Sequence, residues 1–291
     1  EWSIYENETF LLFDNHSEEN ERVIIFGSRS NLELLASSNT WYADGNFGLA
    51  PKNFLQLYVI RIGKYNEFFT VLFCLLEKKT QSIYEIMFHA ILSVCEKNNL
   101  FPDPLYLKVD FEKALINAAK NVLGEHLTIN GCFYHLCQST HRKLAELGLK
   151  KRYQDDDSFN NFCGMLDGLA FLPLTRLNEG IDYLKLNIPL GAEDLFNYFD
   201  ETYVSGTLRR VNKQNVSSLT VRRFPAIFPP ETWNVHQTTM ENNQRTNNVC
   251  ESWNNRFSHL VGVKHPSIWT LINKIKNEMS ADRAKLALQN V

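Results

Sequence analysis

Thr40-Trp41-Tyr42-Ala43-Asp44-Gly45-Asn46 is the stretch on which the reading of this chain turns. Its apolar start and Asp-Gly end predict a strand that stops at a carboxylate. Leu55-Gln56-Leu57-Tyr58-Val59-Ile60 predicts a second strand, Gly63-Lys64-Tyr65-Asn66 a turn, and Phe68 to Leu76 a third strand. Tight connections make these three an antiparallel meander. Ser82 to Lys97 then reads as a helix, with Ile83, Ile86, Met87, Ala90, Ile91 and Val94 on one face. Phe101-Pro102-Asp103-Pro104 breaks it. Leu105-Tyr106-Leu107-Lys108-Val109 is a fourth strand running into Asp110, followed by a helix over Lys113 to Val122. Leu127 to Phe133 predicts a fifth strand, and a helix starts near His135 and runs towards Leu147.

Three strands in hairpin order, then helix, strand, helix, strand, helix, make a mixed α/β sheet covered by helices. That element order is the one expected of a ribonuclease-H-like core. Working outward, residues 1–39 read as a flank with strands at Phe10–Phe13 and Val23–Phe26 and a short helix near Asn31–Leu35. Residues 40–149 form the first part of the core. Residues 150–245 carry two helical stripes, Phe159, Phe162, Leu166, Leu169 and Leu195, Phe196, Phe199, Tyr203, without convincing strand alternation. This segment is read as a mostly helical insertion, long enough to form its own small domain. Residues 246–291 complete the core with helices over Val249–Val261 and Ile268–Ala287.

With 291 residues, 44% of them hydrophobic, the chain can bury one large core and a satellite, and it is not a disordered chain. The apolar run Phe68–Leu76 is about half a membrane span, so no membrane segment is expected. Six cysteines lie at 74, 95, 132, 137, 163 and 250 with no C-x-x-C pair, which favours reduced thiols in the cytosol or nucleus. A net charge of −3 argues against a simple nucleic-acid coat protein, although charge can be segregated locally. The chain opens at Glu1 without methionine and is expected to be a piece of a longer protein.

Asp44 and Asp110 each end an apolar strand. If those strands are neighbours, the carboxylates meet at one sheet edge, where they repel unless a cation sits between them. Hard oxygen ligands of this kind suit Mg²⁺ or Mn²⁺. The plainer alternative is a pair of strand-end turn aspartates. Glu251 lies one turn into a helix opened by Arg245-Thr246-Asn247-Asn248. Val249, Trp253, Phe257 and Leu260 form its apolar stripe, with Glu251 near the margin. A first-turn acid that complements the helix dipole is the alternative there.

Four stretches resemble one family. Trp41-Tyr42-Ala43-Asp44-Gly45-Asn46-Phe47 looks like the first-aspartate motif of the Mutator-like element (MULE) transposases, and Val109-Asp110-Phe111-Glu112-Lys113-Ala114 resembles their second. Gly131-Cys132-Phe133-Tyr134-His135-Leu136-Cys137-Gln138-Ser139 resembles their Cys-x-x-His element. Arg245-Thr246-Asn247-Asn248-Val249-Cys250-Glu251-Ser252-Trp253-Asn254-Asn255-Arg256-Phe257 resembles their glutamate motif. The four occur in the family's order. The resemblance implies a DDE-type DNA transposase with Asp44, Asp110 and Glu251 as catalytic, metal-binding carboxylates holding two Mg²⁺ or Mn²⁺ ions. Two such ions, about 4 Å apart, activate a water or 3′-hydroxyl and stabilise the leaving oxygen at a phosphodiester. The implied reaction is cleavage at transposon ends followed by strand transfer into target DNA. Double-stranded DNA as partner, a homodimer or higher assembly on it, a nuclear location, and end recognition by a module outside this stretch are implied too. Cys132 and His135 are implied to lie near the active site as auxiliary residues. A domesticated, DNA-binding regulatory descendant without catalysis is the alternative function, and a purely hydrolytic ribonuclease-H-like nuclease is a third.

Other residues carry weaker signals. Cys132, His135, Cys137 and His141 invite a zinc reading, but all four fall within one short segment rather than two. Glu112 is a spare ligand or a first-turn helix acid. Ser205 to Phe224 holds Arg209, Arg210, Lys213, Arg222 and Arg223 and no acid, reading as a basic loop that tracks phosphates or is merely solvated. Lys143, Lys150, Lys151 and Arg152 form a second basic group. Trp233 is a candidate for stacking on an unpaired base, or else for packing. Arg245 and Asn248 flank Glu251 and either bind phosphate or brace the helix.

Overall fold

The computed structural model describes residues 2–18, 21–211, 220–241 and 245–289. The chain divides into two compact units, Glu1–Ile129 with Asn247–Val291, and Asn130–Thr246.

The first unit opens with a small hairpin, β1 (Ile4–Tyr5) and β2 (Glu8–Thr9), then β3 (Leu11–Asp14), β4 (Val23–Phe26) and α1 (Arg29–Ala36). Next come β5 (Thr40–Asn46), β6 (Gln56–Lys64), β7 (Glu67–Leu76), α2 (Gln81–Lys97), β8 (Tyr106–Val109), α3 (Lys113–Leu123) and β9 (Thr128–Gly131). A seven-stranded sheet forms in the order β3-β4-β7-β6-β5-β8-β9, antiparallel from β3 through β5 and parallel between β5 and β8. A mixed sheet flanked by helices in this order is compatible with a ribonuclease-H-like fold. The flank strands extend the same sheet, since Val23–Phe26 pair with Phe73–Leu76. Between β6 and β7, Tyr65 and Asn66 take φ of 54° and 59°, the conformation of a two-residue hairpin turn that follows strand twist.

β7 is buried along nearly its whole length because both of its faces are covered. Alternation sends Leu57, Val59, Phe73 and Leu75 to one face, where they pack with Trp253, Phe257, Leu271 and Ile275. The last four come from α11 (Asn248–Val261) and α12 (Ile268–Gln289). On the opposite face Tyr58 meets Tyr84 of α2, ring centroids 5.6 Å apart.

The second unit contains α4 (Phe133–Glu146), α5 (Lys150–Asp155), α6 (Asp157–Gly168), α7 (Leu177–Leu186), α8 (Glu193–Phe199), a single π-turn at Asp200–Val204, α9 (Pro230–Trp233) and α10 (His236–Met240). Both aromatic stripes of this unit are buried. It is not all helical. Two strands, β10 (Thr207–Val211) and β11 (Thr220–Phe224), pair antiparallel, which corrects the reading of Ser205–Phe224 as a loop. Solvent-exposed arginines hide strand alternation, because period two is visible only when one face is apolar. A smaller correction concerns the fifth strand. It stops at Gly131, and Phe133 opens α4 and packs edge-on against Phe171 at 4.9 Å. No helix among the described residues is long and apolar enough to cross a membrane.

Candidate active site

Backbone register brings the two aspartates together. β5 and β8 run parallel with Thr40 beside Tyr106, Trp41 beside Leu107 and Tyr42 beside Lys108. Two residues further on, Asp44 and Asp110 stand at the same level, at the C-terminal ends of adjacent strands. Crevices outside strand C-termini are where open α/β sheets hold ligands. Both aspartates are partly buried. Tyr58 and Cys250 are pushed well above their ordinary pKa by burial, and each also feels the negative charge of both Asp44 and Asp110.

Helix α11 supplies the third side. Asn247 Nδ2 donates to the Ala43 carbonyl at 3.2 Å, and Asn254 Nδ2 donates to Asp44 Oδ2 at 2.6 Å. Asn46 Nδ2 reaches Asn254 Oδ1 at 3.3 Å and Ser258 Oγ at 3.5 Å. Residues 247, 251, 254 and 258 recur at helical spacing on one face. Glu251 therefore sits on the face that touches β5, between two residues that bond to it. It is half-buried in the first turn of α11.

Apolar burial fixes α11, and its polar bonds orient it. Trp253 and Phe257 stack at 4.6 Å and pack on Phe73. Each buried side chain of this size contributes about 1.5–3 kcal/mol, against about 1 kcal/mol for a neutral hydrogen bond. The buried stripe is Cys250, Trp253, Phe257 and Val261, with Asn254 beside it, and Leu260 is exposed. That corrects the expected stripe by one position at each end. A charged network braces the same helix. Arg61 on β6 donates to the Val249 carbonyl, to Thr70 Oγ1 at 3.0 Å and to the Phe68 carbonyl at 3.1 Å. Glu278 on α12 accepts from Trp253 Nε1 at 2.7 Å and pairs with Arg256.

Beneath Asp44 the packing leaves no room. A Cβ on Gly45 would stand 2.2 Å from Gln56 Oε1. Gln56 Nε2 in turn donates to Tyr84 Oη at 2.8 Å, and Tyr84 Oη donates to Glu112 Oε2 at 3.0 Å. Burial raises the Glu112 carboxyl pKa, and Asp110 adds to the rise. Glu112, the N-cap residue of α3, thus feels the Asp110 charge. Asp44 and Asp110 stand at adjacent strand ends with Glu112 near Asp110, and carboxylate oxygens of this kind are hard ligands. Asn254, Gln56, Tyr84 and Arg61 were not singled out in the sequence. Asn254 alone had a readable signal, standing three residues after Glu251 on the same helix face.

Cys132 is the buried N-cap residue of α4, and His135 lies in its first turn, both in the second unit. Burial, with Asp167 nearby, pushes the Cys137 thiol up to about 12. Arg209, Arg210, Arg222 and Arg223 are exposed on the β10–β11 ribbon, whereas Lys213 lies outside the described residues. Arg152 of the second basic group bonds Asp156 and caps the Phe159 ring. Asn248 is exposed at the start of α11, and Arg245 is exposed with its carbonyl accepting from Phe133 N. Trp233 is fully buried, its indole N–H donating to the Tyr203 carbonyl at 2.8 Å. Complete burial, with Phe199 meeting the indole edge-on at 5.7 Å, favours the packing alternative over base stacking.

A search of curated proteins gives no significant match to this chain. Residues 40–139 match the family model of the MULE transposase domain. The match opens at the first residue of β5, contains Asp44, Asp110, Cys132 and His135, and ends within α4, short of Glu251. This is the family that the chain's motifs resemble, matched over 100 of its 291 residues.

Proposed function

We propose that this chain is the catalytic domain of a DDE-type DNA transposase, with the second unit as an insertion between the second aspartate and the glutamate. Asp44, Asp110 and Glu251 would hold two Mg²⁺ or Mn²⁺ ions, which supply an activated water or 3′-hydroxyl and neutralise charge on the leaving oxygen. The chain's own residues prepare the site. Asn254 and the Gly45 N–H, donating to the two Asp44 oxygens, fix that carboxylate in one rotamer. Arg61 and the Trp253–Phe257 stack hold the helix that presents Glu251. The substrate is double-stranded DNA, at transposon ends and then at target, and the location that goes with it is the nucleus. The observation that carries the reading is the convergence of two parallel strand ends with the Asn247–Asn254 face of α11.

The test has two arms. Titration of the wild-type chain with Mn²⁺ is expected to show binding that Asp44→Asn and Asp110→Asn abolish. Cleavage and strand joining on duplex element ends is expected to fall at least about a thousandfold, roughly 4 kcal/mol of barrier, in Asp44→Asn, Asp110→Asn and Glu251→Gln. Activity that survives all three changes would sink the site. A wild-type chain that binds DNA but neither binds metal nor cleaves is the domesticated regulatory protein instead.

A further inference from the structure

The β10–β11 ribbon carries charge in a pattern that a solvated loop would not. Between Ser205 and Phe224 the sequence holds four arginines and Lys213 and no acid, in a chain whose net charge is −3. Register places Arg209 directly opposite Arg222, and Thr207 opposite Phe224, so these four share one face. Leu208 faces Arg223, and Arg210 faces Val221, on the other face. Like charges directly opposed across strands destabilise a pair. Here Phe224 offsets part of that cost, its ring lying 5.2 Å from the Arg209 guanidinium and 5.7 Å from that of Arg222. The base of the ribbon is closely built. Gly206 has φ +72°, a Cβ there would lie 2.0 Å from the Phe224 carbonyl, and Arg223 Nη1 donates to the Ser205 carbonyl at 3.0 Å.

A ribbon made for a protein partner would present one apolar face. This one presents an arginine pair on each face, with Leu208 and Val221 exposed at 62% and 57% between two of them. The matching object has two walls of negative charge and an apolar component on its floor. The B-DNA major groove, about 12 Å wide, admits a two-stranded ribbon, has a phosphate row on each side, and displays thymine methyl groups. We propose that β10–β11 is a duplex-DNA-binding ribbon that enters the major groove, with Arg209 and Arg222 on one wall and Arg210 and Arg223 towards the other. The assignment rests on the DNA-directed reading of the chain but on none of its carboxylates.

Fluorescence anisotropy of the full chain with a labelled mixed-sequence duplex, in EDTA, tests it without any metal-dependent chemistry. Between about 50 and 200 mM salt, the double changes Arg209→Gln/Arg222→Gln and Arg210→Gln/Arg223→Gln are each expected to lower the log–log salt slope by about 1.8. Binding at the low-salt end should weaken about tenfold in each. Arg→Lys at the same positions should keep the slope, and unchanged far-ultraviolet dichroism should confirm that the fold survives. Methyl green, which occupies the major groove, should compete, and netropsin, a minor-groove ligand, should not. Wild-type slope and affinity in both glutamine pairs would overturn the proposal. So would competition by netropsin alone, or tighter binding to a single strand than to duplex. Failure of the cleavage test would leave this outcome unaffected, and the reverse also holds.

Discussion

Asn254 shows how much a single side chain decides at this site. Its amide donates to Asp44 Oδ2 while its carbonyl accepts from Asn46, so one residue ties α11 to both sides of the Asp44 position. Partners that orient metal-binding carboxylates typically change affinity or activity by about 10–100-fold when removed. Asn254→Ala is expected to weaken Mn²⁺ binding by that factor while the thermal transition moves little. A comparable loss of global stability with unchanged metal affinity would make Asn254 a packing residue. The dependence on side-chain identity is narrow. Asn254→Asp would place a third negative charge beside Asp44, which an ion would have to neutralise.

Helix α12 illustrates what an element contributes beyond its apolar face. Its buried residues include two acids, Glu278 and Asp282, an arrangement that hydrophobic periodicity would place on the solvent side. Glu278 is satisfied by Trp253 and Arg256, and Asp282 Oδ2 accepts from Thr70 N at 3.0 Å. Burial raises the Asp282 pKa, and the charge of Glu278 adds to it. A carboxyl whose folded pKa lies above its unfolded value favours the fold when protonated, and that contribution is lost as pH rises through the folded pKa. Asp282→Asn is therefore expected to raise the thermal midpoint of the chain at neutral pH in EDTA. The advantage over wild type should shrink as pH is lowered towards the ordinary carboxylate range. A difference that is constant with pH would show that Asp282 acts only through its hydrogen bond to Thr70.

At the scale of the molecule, the chain passes from the first unit to the second after Ile129 and returns at Asn247, so two compact units share one chain with two crossings. The second unit has its own core around Trp233, Phe199, Tyr203 and Phe228. Removing a fully buried tryptophan costs about 3–5 kcal/mol. Trp233→Ala is expected to speed amide exchange across residues 130–246 while β5, β6 and β7 keep their protection. Equal loss of protection in both units would show that they unfold as one.

The sequence alone determined the sheet-forming strands of residues 40–131 and the helices between them, because two-sided burial leaves continuous apolar runs bounded by turn residues. It also singled out Asp44, Asp110 and Glu251 as residues, the aspartates from strand ends and the glutamate mainly from its motif. Tertiary structure alone decided what surrounds them. Asn254, Arg61, Gln56, Tyr84 and Glu278 are polar residues inside apolar elements, and their partners lie between 7 and 210 positions away in the chain. Local periodicity carries no record of such pairings. The β10–β11 ribbon was illegible for the converse reason, since exposure on both faces removes the alternation by which a strand is read. Trp233 stayed open between two roles because its residue type suits both a base and a core, and only burial distinguishes them. For the two aspartates, sequence marked the strand ends and parallel register set them side by side, while tertiary contacts bring the residues flanking Glu251 on α11 against β5.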